Sequence, residues 1–404
     1  MTVFVQGSIG QPLSLLKALG DAGDALRDVR FVSVLTPGVN SFPVGSATSS
    51  RVATFFDYRD LRRSFGGSVI DFIPSHYSDI IRYLESLETI DLALIQLSPP
   101  DCHGMCSAGI SADFVPDILA KCRTVICELN AGMPRTEDAS DFHLDSLDYI
   151  VETDYALPQI PSPPADATAD KIAQNAASLV RDGDTLQFGV GRIPQLVPGA
   201  LYDRIDLGLH SGLITSVVRP LIEGGSMTGL RKSIDTAKHV TGAAVGDGEF
   251  YDWLGAHPDF AFRPVSYTHD RRILGTIDNL VAINSVLEVD LFGQANAEMI
   301  NGQQVSGSGG LVDFIRGARM STNGRAIICL QSTSNNRQRS NIVTRLNSVV
   351  TVCRTDLQYV VTEYGIADLN QKSIDEKAHA LIAVAAPEFR DALRDSWAKQ
   401  RQAQ

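Results

Sequence analysis

Three short segments combine residue types that could hold an anionic ligand and place a carboxylate for polar chemistry. QFGVGRIPQLV (187–197) reads as a strand, then Gly189 and Gly191, then a helix beginning near Pro194. Two glycines let backbone NH groups approach a ligand closely, and a helix N-terminus favours a phosphate or another anion. Pro194 stands where a third glycine would complete GxGxxG, so the dinucleotide fingerprint fails and a plain tight turn fits as well. VSGSGGLVDFIRGARMSTNGR (305–325) gathers Gly307, Gly309, Gly310 and Gly317 ahead of and into a helical stretch, with Arg316 and Arg319 three apart. So many glycines imply backbone that must come close to a ligand or to a neighbouring segment. DLQYVVTEYGIADL (356–369) delivers Thr362, Glu363 and Tyr364 to the end of a strand that Gly365 breaks. A carboxylate there suits polar chemistry in a cleft, or it caps the next helix.

Other chemically suggestive residues carry less. Cys102, His103 and Cys106, with Cys122 and Cys127 downstream, match no zinc spacing, so buried structural thiols are expected and no metal. Glu288 and Asp290 in INSVLEVDLFG occur at period two, which suits the polar face of a strand as well as an active site. No GxSxG is present, which argues against a serine hydrolase.

The elements that must position these turns alternate between apolar runs and amphipathic helical stretches, the pattern of a mostly parallel sheet covered by helices. Strands are expected at 30–38, 92–100, 124–130 and 148–154, then at DTLQFGVG, LVAINSVLEVDLFGQANA, GRAIICLQST and SVVTVCRTDLQYVVTEYG. The proline-rich stretch 155–169 reads as a semi-rigid crossing. The helix DKIAQNAASLVRDG, ending at Gly183, follows it, and one long helix is expected over the last residues. Two α/β domains are expected, 1–180 and 181–404. Their shared cleft lies at the carboxyl ends of strands, where such sheets bind ligands.

Bulk properties narrow the classes. The chain has 404 residues, 44% of them hydrophobic, and 35 Lys+Arg against 47 Asp+Glu, a net charge of −12. That balance repels polyanions, so no nucleic-acid partner is expected. No window approaches the roughly 18 apolar residues of a membrane span, and no signal peptide is visible, so a soluble cytoplasmic protein with reduced cysteines is expected.

SPPDCHG (98–104), GVGRIP (189–194), LGLHSG (207–212), INSVLEVDLFGQ (283–294), SGSGG (306–310), TEYGIADL (362–369) and APEFRDAL (386–393) run in order along nearly the whole chain. With these strings the sequence resembles the acetyl-CoA hydrolase/transferase family of CoA transferases. The resemblance implies two open α/β domains of CoA-transferase type with an acyl-CoA thioester bound between them, a small carboxylate as second substrate, and a homo-oligomer. It implies that coenzyme A is held by Gly189, Val190, Gly191, Arg192 and Ile193 together with Ser306, Gly309 and Gly310. The NH of about Gly309 or Gly310 would face the thioester oxyanion. The family's chemistry is covalent: a glutamate attacks the acyl-CoA carbonyl to give a mixed anhydride, then a glutamyl thioester, and a second carboxylate collects the CoA.

That glutamate normally follows the His-Ser of the string written here LGLHSGLIT, and this chain has Gly212 there. Glycine cannot form an anhydride. In QSTSNNRQRS a usual lysine is replaced near Asn335, with Arg337 close by, and Leu311 stands where Gln is usual. Three readings follow. In the first, the nucleophile is Glu363, Glu288 or Glu223, or Glu363 activates water to give a hydrolase. In the second, the chain is a catalytically impaired CoA-ester-binding homologue. The third, a nucleotide-binding oxidoreductase, is disfavoured by the failed fingerprint.

Overall fold

The structure, a computed structural model, describes residues 1–42, 50–64, 69–160, 166–334 and 336–402. Asn335 and part of the proline-rich crossing therefore lie outside the described residues. The first half builds a seven-stranded, wholly parallel sheet from β1 (Thr2–Val5), β2 (Arg30–Ser33), β3 (Arg51–Thr54), β4 (Val69–Phe72), β5 (Leu92–Leu97), β6 (Val125–Asn130) and β7 (Tyr149–Thr153). Its order is β4-β3-β2-β1-β5-β6-β7.

The second half comprises β8 (Thr185–Phe188), β9 (Gly208–Thr215), β10 (His239–Val245), β11 (Phe260–Phe262), β12 (Leu280–Ser285), β13 (Arg325–Cys329), β14 (Tyr359–Thr362) and β15 (Gly365–Asp368). The order is β11-β10-β9-β8-β12-β13-β14-β15, and only the last pair is antiparallel. Each sheet therefore repeats one plan, in which its first strand lies inside the sheet and the order reverses beside it, between β1 and β5 and between β8 and β12. That reversal leaves a crevice at the strands' carboxyl ends.

All four strands expected in the first half are present, and β8, β12, β13 and β14 match those expected in the second. The long C-terminal helix is instead two, Ile374–Ala383 and Pro387–Gln402, because Pro387 cannot donate the NH that a continuous helix needs. The helix before β8 stops at Ala177 rather than running to Gly183, which sits at φ +77° in the turn that follows. This helix, Ala167–Ala177, packs on β14 and β15, so a division of the chain near 180 falls after a helix carried by the second sheet.

The halves share one core. The largest apolar cluster runs from Phe4 and Ile95 through Ile110 and Phe114 to Phe188, Ile283 and Ile327. Polar contacts also join them: Arg263 grips Asp138 bidentately at 2.6 and 2.9 Å, and the Ala112 NH donates to the Gly242 carbonyl at 3.0 Å. Among the described residues no helix is long and apolar enough to cross a membrane. All six cysteines are free thiols; burial raises the pKa of Cys106, Cys122 and Cys127, but Cys102 is exposed in the turn after β5 and is not the buried structural thiol expected.

Candidate active site

A cavity of about 370 Å³ lies where the carboxyl ends of the two sheets face each other. Ser8, Thr36 and Phe56, which follow β1, β2 and β3, line it from the first half, together with Tyr77 at the start of α1 (Tyr77–Ser86). The second half supplies Gly189 and Val190 after β8, Gly212 and Leu213 from β9, Asn284 and Ser285 at the end of β12, and the loop 305–310. Val190 is 61% exposed, at the mouth. A smaller hollow of about 100 Å³ continues from there, sharing Thr36, Pro37, Val190 and Leu213.

Both glycine turns line the cavity, and their glycines sit close to neighbouring segments. A Cβ on Gly189 would strike the Asn284 side chain, and that amide is exchanged reciprocally with Gln187 at 2.8 and 3.2 Å, forming a fixed polar floor. In the second loop, Gly309 is at φ +53° and its carbonyl accepts from the Tyr77 NH at 3.0 Å, while His76 Nδ1 meets Ser308 Oγ at 3.1 Å. Gly310 then opens the helix α2 (Leu311–Met320) without a side-chain cap, and its own NH meets no acceptor among the described residues. An uncapped N-terminus facing a cavity is a ready site for an oxyanion. Asp313, in the first turn of α2, accepts from the Ser78 NH and Oγ at 3.0 and 2.7 Å, which holds the loop against the first half.

Gly212 is explained by a residue the sequence did not single out. A Cβ there would lie 2.5 Å from His269 Nε2, and one on Gly310 would lie 2.6 Å from the same nitrogen. The imidazole therefore fills the space between Gly212 and the 305–310 loop. Its ring packs on Tyr77 and Phe314, with centroids 4.7 and 4.9 Å away. The backbone is fixed by two short helices, Val265–Thr268 before it and Arg271–Thr276 after, the second capped by Asp270. Burial drives the His269 pKa down to about 3, so the ring is neutral. No motif surrounds His269 in SYTHDRR, and nothing local in the sequence signals where the ring goes.

Among the described lining residues the only ionisable side chains are His269 and Tyr77, and the Tyr77 hydroxyl donates to Asp113 at 2.8 Å. Glu363 does not line the cavity. It occupies the tight turn of the β14–β15 hairpin, where Ser332 donates to it from NH and Oγ at 3.0 and 2.6 Å. No following helix is capped by it. Glu288 pairs with Arg339 at 3.5 Å and Glu223 with Arg219 at 2.8 Å, both away from the cavity. Gly191, Arg192 and Ile193 form the turn and short helix beside the mouth, where Arg192 pairs with Asp166 at 3.0 Å. Ser306 lines the cavity and Leu311 closes its helix end. Arg337 is on the surface, bound to Glu388 at 3.0 Å.

Comparison with known proteins gives the same picture along the whole chain. Residues 1–161 match the acetyl-CoA hydrolase/transferase N-terminal domain and residues 246–397 the corresponding C-terminal domain. The 4-hydroxybutyrate coenzyme A transferase of Clostridium kluyveri is 34% identical over 397 residues, 97% of this chain and 92% of that one. The butyryl-CoA:acetate CoA-transferase of Anaerostipes caccae is 34% identical over 334 residues, 80% of this chain and 75% of that one. The crystal structure of RipA from Yersinia pestis superposes with a TM-score of 0.91 at 34% identity, covering 99% of this chain and 94% of that one.

Proposed function

The chain belongs to the acetyl-CoA hydrolase/transferase family, and from that premise we propose that it processes acyl-CoA thioesters in the inter-sheet cavity without a glutamyl anhydride at position 212. The observation that carries this reading is the His269 ring standing where a side chain on Gly212 would begin. The acyl thioester enters past Val190, its carbonyl oxygen turned to the Gly310 NH at the start of α2. A backbone NH aimed at a developing oxyanion contributes about 3 kcal/mol in comparable acyl-transfer sites. The remaining CoA runs out over the 189–193 turn.

The acceptor is water or a small carboxylate. The absence, among the described lining residues, of acidic or basic side chains other than His269 supports direct attack by the acceptor over a covalent carboxylate intermediate. A homo-oligomer belongs to the same reading, supported by edge strand β7, where Tyr149, Ile150 and Val151 are exposed. Light scattering checks it. Assaying acetyl-, butyryl- and 4-hydroxybutyryl-CoA with and without acetate tests the function: acid release or CoA transfer supports it, and neither product from any ester contradicts it.

A further inference from the structure

One nitrogen of the His269 ring is engaged: its Nδ1 lies 2.9 Å from Thr268 Oγ1, and that hydroxyl lies 3.3 Å from the Pro264 carbonyl. In the tautomer with Nδ1 protonated, the hydroxyl donates to Pro264 and its oxygen accepts from Nδ1–H. Nε2 is left with its lone pair, in a cavity wall, flanked by Gly212 and Gly310. The adjacent histidine is fixed differently: His210 Nε2 meets the Thr268 carbonyl at 3.2 Å and must donate to it. Thr268 therefore separates two rings and orients both.

A glutamate carboxylate at 212 would extend three bonds past its Cβ, whereas Nε2 lies close to that Cβ point. A thioester carbonyl held where such a carboxylate could reach it is therefore too far for direct attack by Nε2, and the gap suits one water. We propose that His269 Nε2 is the general base that activates this water, making the protein an acyl-CoA hydrolase. Water oxygen bonds to the thioester carbon while its proton passes to Nε2, and the oxyanion settles on the Gly310 NH. Collapse breaks the C–S bond, and the imidazolium returns the proton to the leaving thiolate, giving free acid and CoA. The neutral ring, buried without a charged partner, becomes cationic only beside the oxyanion that compensates it.

This inference rests on the acyl-CoA reading above, and its test separates the two. Calorimetry of the intact protein with butyryl-CoA comes first: no binding contradicts that reading as well. Given binding, His269→Gln is expected to lower kcat for hydrolysis of butyryl-CoA at least 100-fold while changing its Kd less than threefold. Imidazole added to His269→Gly, which leaves the ring's space empty, is expected to restore at least tenfold of the lost rate. Thr268→Val, removing the partner of Nδ1, is expected to lower kcat about tenfold with KM unmoved. Circular dichroism of each variant confirms the native fold. Turnover within threefold of wild type in a folded His269→Gln, or binding without hydrolysis of any of the three esters by wild type, overturns the proposal.

Discussion

Gly212 and His269 are one arrangement: the ring nitrogen of His269 lies 2.5 Å from where a side chain on Gly212 would begin, so Gly212 has no room for a side chain while the ring keeps its place. The ring has little freedom to yield, held by Thr268 at one nitrogen and packed between Tyr77 and Phe314. Placing a glutamate at position 212 is therefore a steric problem before it is a chemical one.

Gly212→Glu alone is expected to destabilise the protein by about 1–3 kcal/mol through overpacking and to give no CoA transfer from butyryl-CoA to acetate. The same change combined with His269→Gly is expected to recover stability and gain transfer. Denaturant unfolding and a transfer assay check both. Transfer by the single variant would mean that the ring swings aside.

Asp313 joins the glycine loop to the first half through two hydrogen bonds from Ser78 while itself 1% exposed. Asp313→Ala is expected to cost about 2–3 kcal/mol by leaving the Ser78 groups unpaired. KM for butyryl-CoA should rise, because the loop that carries Gly310 loses its tether. A loss below about 0.5 kcal/mol would contradict this anchoring.

Acid stability follows from three buried imidazoles. Burial lowers the pKa of His210, His239 and His269 to about 3, with Lys232 adding repulsion at the first two. Unfolded, each binds a proton near pH 6.5, so their contribution is complete above that pH and is lost as pH falls toward 3. Asp113 works oppositely: burial raises its pKa to about 7, so its contribution is complete below about pH 4 and lost as pH rises through 7. At pH 5 these four groups together take up roughly two protons on unfolding, a slope of about 2.7 kcal/mol per pH unit, which Asp117, Asp184 and Asp313, their pKa values raised by burial, reduce. His210→Gln, whose amide NH can still reach Thr268, should remove about one of those protons. A flat pH dependence between 4 and 6 would contradict the burial of these rings.

Glu363→Gln removes charge from a carboxylate that Ser332 binds twice. The expected outcome is a loss of about 1–2 kcal/mol with hydrolysis within threefold of wild type, measured by unfolding and steady-state kinetics. A hundredfold fall in kcat would instead make Glu363 the base.

Much of this was legible in the sequence, and the exceptions have physical causes. Continuous apolar runs such as LALIQL and RAIIC declare buried parallel strands, and both glycine turns reach the cavity. The strands at 2–5, 51–54, 69–72, 208–215, 239–245 and 260–262 are missed because they are very short or contain Gly and His. Glu363 is misleading because a hairpin rather than a helix follows it, which turns its carboxylate onto Ser332. His269 is invisible because its role comes from three-dimensional packing between two short helices, with no residue spacing to announce it. Gly212 is legible only as a loss; the structure supplies what occupies the space.

The most direct measurement is a turnover of butyryl-CoA in H₂¹⁸O, followed by mass spectrometry of the acid and, after borohydride treatment, of the protein's peptides. One ¹⁸O in the released butyrate with every glutamate peptide unmodified is the expected result. A reduced glutamyl peptide would reveal a covalent carboxylate intermediate and contradict direct attack by water at His269.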